Sequence, residues 1–207
     1  MNTFSSGAAV SAGWKTFKSR PWFFVGVTVL VAVISGISGQ VTNSSHVGNG
    51  QTIILFGVGF VITIVISLLV KMGTINVYLK AQQDAQVVRF EDLWAPQRAV
   101  SFFLATLLVG VIVVVGLILL IVPGIMWALR YMFVPYLVMD KGLDVTSALA
   151  ESARITYGHK WQLLGLVFLM VLLNILGAIC LLVGLLVTIP VSALATVHAY
   201  RTLSKSA

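Results

Sequence analysis

Residues 162–200 read QLLGLVFLMVLLNILGAICLLVGLLVTIPVSALATVHAY, and no Asp, Glu, Lys or Arg interrupts these 39 residues. A helix that crosses a bilayer needs about 20 apolar residues, each adding about 1.5 Å of rise. The run is too long for one span and right for two. Gly177 and Gly184 mark the place where the chain turns. This predicts spans at 162–178 and 183–201. Backbone in lipid must satisfy its own hydrogen bonds, so both spans are expected to be helices. Treating 162–189 as one tilted span instead would place Arg201 and Lys205 on the outer side, against the charge pattern described below.

The rest of the chain follows the same rule. Of its 207 residues, 59% are apolar and only 9% charged, against about 25% charged in a soluble domain. That excludes a disordered chain, a coiled coil and an ordinary soluble enzyme. Four more apolar runs predict spans at 21–39, 52–70, 101–122 and 125–139. Pro21 suits the first turn of the first span. The loop 40–51 (QVTNSSHVGNGQ) has the Asn, Ser and Gly content of a true connection. Lys71 is expected to snorkel from the end of the second span. Pro123-Gly124 is expected to turn the chain between the third and fourth. Gly142 is a good residue to follow a helix end, and Asp144 a good N-cap for a helix over 145–156. The expected architecture is all-α: one polytopic transmembrane domain over 1–207, with six transmembrane helices as three hairpin units and short interfacial amphipathic helices. Residues 1–20 lack an early small-residue cleavage site and so do not read as a secretory signal. Val10, Trp14 and Phe17 fall on one helical face, which predicts an amphipathic helix on the membrane surface.

Charge gives direction. Thirteen Lys/Arg against six Asp/Glu leave a net charge of +7. The loops at 40–51, around 123–124 and around 178–184 hold no Lys or Arg, and all the basic residues but Arg130 fall on the other side. The positive-inside rule then predicts a multi-pass membrane protein with both termini in the cytoplasm. The basic residues flank apolar runs and form no single patch interleaved with aromatics, so nucleic acid is not expected. Trp14, Trp22, Trp94 and Trp161 are expected interfacial anchors among membrane lipids. Trp14 precedes Trp22 by eight residues, as Trp94 precedes Phe102 and Ala153 precedes Trp161. Tyr78, Tyr136 and Tyr200 close the second span of each unit. The pattern suggests a threefold repeat, although tandem hairpins with aromatic belts could produce it without common ancestry.

Few residues suggest chemistry. Arg130 lies six residues past Gly124, about 9 Å below the outer surface, with no carboxylate expected at that depth. It could contact a polar substrate in a cavity, or snorkel outward and stack with Trp127 or Tyr131. Asn174 could line a path with Arg130 or hold two helices together. Ser192, Ala195, Thr196 and Ala199 form a small-residue face on the last span, and Ala32 and Gly36 a weaker one on the first. Cys180 is the only cysteine and reads as a small packing residue. His46, His159 and His198 are far apart in the predicted topology, so no metal site is expected. No nucleophile, metalloprotease or phosphate-loop motif occurs. No catalytic residue, cofactor or enzymatic activity is therefore expected. Two function classes survive: an accessory, scaffold or assembly protein that joins itself or another membrane protein, and a small transporter, exporter or lipid-handling protein with a polar contact at Arg130.

Residues 121–161, IVPGIMWALRYMFVPYLVMDKGLDVTSALAESARITYGHKW, carry a recognisable pattern. Val122–Ile125 (VPGI), Pro135, Val138–Lys141 (VMDK) and the Thr156, Gly158, Trp161 spacing resemble a group of six-helix prokaryotic membrane proteins. That group includes the YciC-like family and the membrane domain attached to some glycerophosphodiester phosphodiesterases. The resemblance covers the last hundred or so residues, and the first half only in hydropathy. It implies a fold and a membrane location and no activity, since the soluble phosphodiesterase domain is missing from this sequence.

Overall fold

A computed structural model describes residues 5–43, 50–93, 98–180 and 183–206. Trp94, residues 44–49 (with His46) and residues 181–182 lie outside them. All described elements are helical: α1 (Ser6–Ser19), α2 (Pro21–Asn43), α3 (Gly50–Ala81), α4 (Ala99–Leu119), α5 (Ile121–Tyr131), α6 (Val134–Lys141), α7 (Val145–Ile155), α8 (Lys160–Ile179) and α9 (Leu185–Ser206), with a 3-10 turn at Phe90–Leu93. Among the described residues, four helical segments are long and apolar enough to cross a membrane: Val58–Ala81, Ala99–Leu119, Ile121–Lys141 and Lys160–Ile179. A fifth follows if α1 and the described part of α2, bent by 99° at Arg20, count as one span. The chain is thus an all-α, membrane-embedded protein.

Two helices differ from the sequence reading in their ends. Hydropathy ends the second span at residue 70, closed by Lys71, yet α3 runs on to Ala81. Met72, Ile75, Tyr78 and Leu79 continue its buried face past the lysine, and a long Lys can sit on a helix without ending it. The turn expected at Pro123-Gly124 instead falls at Leu120, whose backbone is extended (φ −165°, ψ 142°). Pro123 then occupies the first turn of α5, where a missing N–H costs nothing. Gly124 serves close approach, not a positive φ. A Cβ on Gly116 would lie 2.9 Å from Gly124 Cα and 2.7 Å from Trp127 Cε3, so α4 and α5 touch backbone to backbone. Gly177 and Gly184 do the same for α8 and α9, where a Cβ on Gly184 would lie 2.5 Å from Gly177 O.

Helix α1 is where sequence and structure part most clearly. Hydropathy favours the face of Val10, Trp14 and Phe17, laid on the membrane surface. The buried face is Ala9, Gly13 and Phe17, and it packs on α9 and α8. A Cβ on Gly13 would meet Val191 O at 2.7 Å and Ala195 N at 2.8 Å. The small-residue face read on the last span therefore receives α1 at Ala195, and a hydroxyl of Ser6 donates to Gln162 O at 3.0 Å. Trp14 stays outside, stacked on Phe17 at 5.7 Å with Lys18 5.1 Å above its ring.

Helix α9 is the axis of the molecule. Leu194, Ala195, Val197, Ala199 and Tyr200 are buried against several neighbours. A helix surrounded by protein needs no lipid-facing apolar surface, which explains why Thr188, Ser192, Thr196 and His198 are tolerated on it. The aromatic core gathers at one end: Phe24 stacks on Tyr78 at 6.1 Å, and Phe133 and Tyr136 each lie 5.9 Å from Tyr200. Of the three tyrosines near the ends of the predicted second spans, Tyr136 and Tyr200 stack on each other and Tyr78 stacks on Phe24. By contrast α4 turns Val100, Leu104, Leu107, Val111, Val114 and Ile118 outward, the stripe expected of a helix facing lipid. The local punctuation is as read: Gly142 has φ 66° and ends α6, and the Asp144 carboxylate accepts from the N–H groups of Thr146 and Ser147 to cap α7.

Candidate functional site

Arg130 sits in the last turn of α5, where a cation complements the helix dipole. Its side chain is exposed and its guanidinium lies 5.8 Å from the Tyr131 ring, the local stacking anticipated from the sequence. Its carbonyl accepts from Ser152 Oγ at 2.8 Å and Thr156 Oγ1 at 3.3 Å. Arg130 is therefore packed beside the end of α7, the helix that carries Arg154. Arg130 makes no ion pair with a described carboxylate. Trp127 packs instead on Gly116 of α4.

Asn174 is likewise accounted for. Its Nδ2 donates to Met170 O at 2.7 Å and Ser192 Oγ at 3.0 Å, and its Oδ1 accepts from Thr188 Oγ1 at 3.0 Å. Thr196 continues the ladder, donating to Ser192 O at 2.9 Å with Met170 Sδ 3.3 Å from the same hydroxyl. This is a polar seam between α8 and α9, the clamp that an Asn in a span can supply. It does not join Arg130.

A cavity opens elsewhere, between α2, α3, α6 and α9, with a volume of about 490 Å³. That is inside the usual range for small-molecule sites, roughly 300–1,000 Å³. Its polar lining comprises Ser35, Ser67, Lys71, Thr74, Tyr136 and Thr196, with Tyr78 at one end; its apolar walls include Val31, Val70, Met132 and Ala193. No carboxylate lines it among the described residues. Lys71 is placed roughly ten residues, about 15 Å, before the end of α3. It makes no ion pair with a described carboxylate: the acidic partners at the surface go to Lys80, Lys141, Arg154 and Arg201. The hydroxyls divide into two kinds. Those of Ser67, Thr74 and Thr196 donate back into their own helices, to Thr63 O, Val70 O and Ser192 O. Ser35, Lys71 and Tyr136 make no hydrogen bond with another described residue. A hydrophobic groove of about 270 Å³ with Leu30, Ile34, Ile66 and Leu69 lies against the same Val31 and Val70.

At the polar end, charges are paired. Hydrogen bonds from Ser147 and Thr146 hold the Asp144 carboxyl down at about 2. Arg154, with Lys141 behind it, holds Glu151 down to about 2 as well. Arg20 donates from one nitrogen to Ala85 O, Gln86 O and Val88 O, fastening the segment after α3 beneath the α1–α2 bend. Trp22 and Trp161 are strongly exposed, and Trp94 lies outside the described residues. Cys180 is exposed rather than packed. Among the described residues no three His, Cys, Asp or Glu side chains are placed to hold a metal ion.

Sequence reasoning selects Arg130 and passes over Lys71, because a charge at the end of a counted span needs no explanation. The signal is present all the same: Met72, Ile75 and Leu79 keep the helical period for a further two turns beyond the lysine. The partners of the cavity, from α2, α6 and α9, carry no such local signal. No family model, no curated protein and no solved structure matches the chain.

Proposed function

We propose that this protein is a non-enzymatic, lipid-handling membrane protein that binds an amphiphilic ligand in the cavity around Lys71. The observation that carries this reading is an open, mainly apolar cleft of about 490 Å³ between four helical segments, with an exposed lysine and two hydroxyls on its wall that have no partner among the described residues. A mainly apolar cleft with a few convergent polar groups is the usual form of a small-molecule site. The polar contact expected at Arg130 falls to Lys71 instead. The topology proposed with it is six spans as three hairpins, α9 being the sixth, in a prokaryotic inner membrane with cytoplasmic termini. The position of Arg130 beside Thr156 supports that orientation, because it brings the remaining cation to the 141–160 segment with the others. The resemblance of residues 121–161 to the YciC-like group fits the same location and supplies no activity.

Ala193 on the cavity wall gives the test. Ala193→Trp would occupy the space. Full-length protein purified in detergent should retain bound membrane lipid, and Ala193→Trp should retain several-fold less while keeping its helical content. Equal retention by both would refute the cavity as the binding site.

The assembly reading keeps one specific support. Val100, Leu104, Leu107, Val111, Val114 and Ile118 follow a four-three spacing along α4 and are exposed, the seam of a left-handed helix pair. A partner helix, from a second copy or another membrane protein, would lie there. Leu107→Cys in a Cys180→Ala background would cross-link two copies in membranes if the seam is a homo-oligomer contact, and would not if α4 only meets lipid.

A further inference from the structure

We infer that the ligand of this cavity is anionic: a phosphate- or carboxylate-headed amphiphile whose headgroup oxygens accept from Lys71, Tyr136 and Ser35. The inference rests on the lipid-handling reading and adds to it the charge and orientation of the occupant.

The polar atoms facing the cavity are not neutral in their demands. Ser67, Thr74 and Thr196 have spent their protons on helix carbonyls. The donors left over are the Lys71 ammonium, with three N–H groups, and the Tyr136 and Ser35 hydroxyls. A ligand that satisfies this set must bring acceptors. With no carboxylate in the lining, an anionic acceptor supplies the counter-charge that Lys71, exposed on the cleft wall, does not find among the described residues. A zwitterionic headgroup would place its own cation beside Lys71 and gain less. The volume suits a headgroup, and the apolar α2 and α3 surfaces on either side of Val31 and Val70, including the groove at Leu30, Ile34, Ile66 and Leu69, suit the chain that follows it. Packing holds Tyr136 in position to donate, since its ring stacks on Tyr200 at 5.9 Å and meets Phe133 edge-on at 6.2 Å.

Native mass spectrometry of the full chain in detergent decides it, with dioleoyl phosphatidylglycerol, dioleoyl phosphatidylcholine and inorganic phosphate as the probes. The wild type should favour phosphatidylglycerol over phosphatidylcholine by about tenfold, the value of one charge-assisted hydrogen bond. Lys71→Gln should still bind both lipids and lose the preference. Lys71→Arg should keep it, and Tyr136→Phe, which keeps the stacked ring, should weaken binding of both lipids by about threefold, since both carry the phosphate. An unchanged preference in Lys71→Gln overturns the inference, as does a wild type that holds both lipids equally. Binding of inorganic phosphate without either lipid overturns the amphiphile in favour of a free anion. A wild type that retains no lipid and no phosphate sinks the lipid-handling reading itself, which separates the two failures.

Discussion

Replacing Gly13 by Ala adds one methyl group to the closest crossing of α1 over α9. The new Cβ would sit 2.7 Å from Val191 O and 2.8 Å from Ala195 N. Both neighbours are backbone of α9, so neither can rotate aside as a side chain would. Restoring an ordinary contact of about 3.5 Å requires α1 to retreat by roughly 0.7 Å. A gap of that size forfeits about a quarter to a half of each dispersion contact across it, and Ala9 and Phe17, buried on the same face, retreat with the glycine. The expected cost is about 1–3 kcal/mol, offset in part by up to about 1 kcal/mol that Ala gains over Gly inside a helix. Gly7 of the same helix is the control, because a Cβ there meets nothing within 4 Å. Unfolding in mixed micelles with rising SDS fraction, followed by far-ultraviolet circular dichroism, measures both. Gly13→Ala should unfold at lower SDS fraction than wild type, and Gly7→Ala at an equal or higher one. If Gly13→Ala is as stable as Gly7→Ala, α1 does not dock on α9 as described.

Other expectations can be checked alongside it. Asn174→Leu removes the seam between α8 and α9 and should cost about 0.6–1.7 kcal/mol in the same unfolding assay. Arg130→Gln should leave unfolding and lipid retention unchanged, since the Ser152 and Thr156 bonds go to its backbone carbonyl; a loss of bound lipid would return the site to Arg130. Arg20→Ala releases the carbonyls of Ala85, Gln86 and Val88, so hydrogen exchange should quicken across residues 82–90 and not in α8. Acid should weaken the α7 region. Glu151 ionises near 2 in the folded protein against an ordinary 4.5, and Asp144 near 2 against 3.8. Both lowered values contribute stability that is full above about pH 4.5 and lost as pH falls toward 2. Thermal unfolding from pH 7 to pH 3 should show that loss, and a Glu151→Gln, Asp144→Asn double variant should follow a flatter profile.

What the residues disclose on their own is local. Asp144 caps α7 and Gly142 turns the chain because each acts through its own backbone and the next two or three residues. Spans are legible as apolar runs, but their ends are not. Pro123 looks the same before a helix as inside its first turn, and Lys71 looks the same closing a span as lying on one. The face of α1 escapes for a different reason. Hydropathy weights Val10 and Trp14, whereas tight docking selects Ala9 and Gly13, whose virtue is having almost no side chain. Arg130 is hard to place because its position depends on hydroxyls contributed by α7, more than twenty residues away. The Lys71 cavity needs four helices at once, and no window of sequence contains them.

The docking of α1 on α9 also sets a timetable. At a synthesis rate of about 5–20 residues per second, α1 emerges roughly 10–40 s before the helix it rests on. During that interval the Ala9–Gly13 face lacks its α9 partner, and the bend at Arg20 is held by its bonds to the segment after α3. The last helix therefore completes the docking: a chain that stalls or is cut short of it leaves the small-residue face of α1 without the surface it fits.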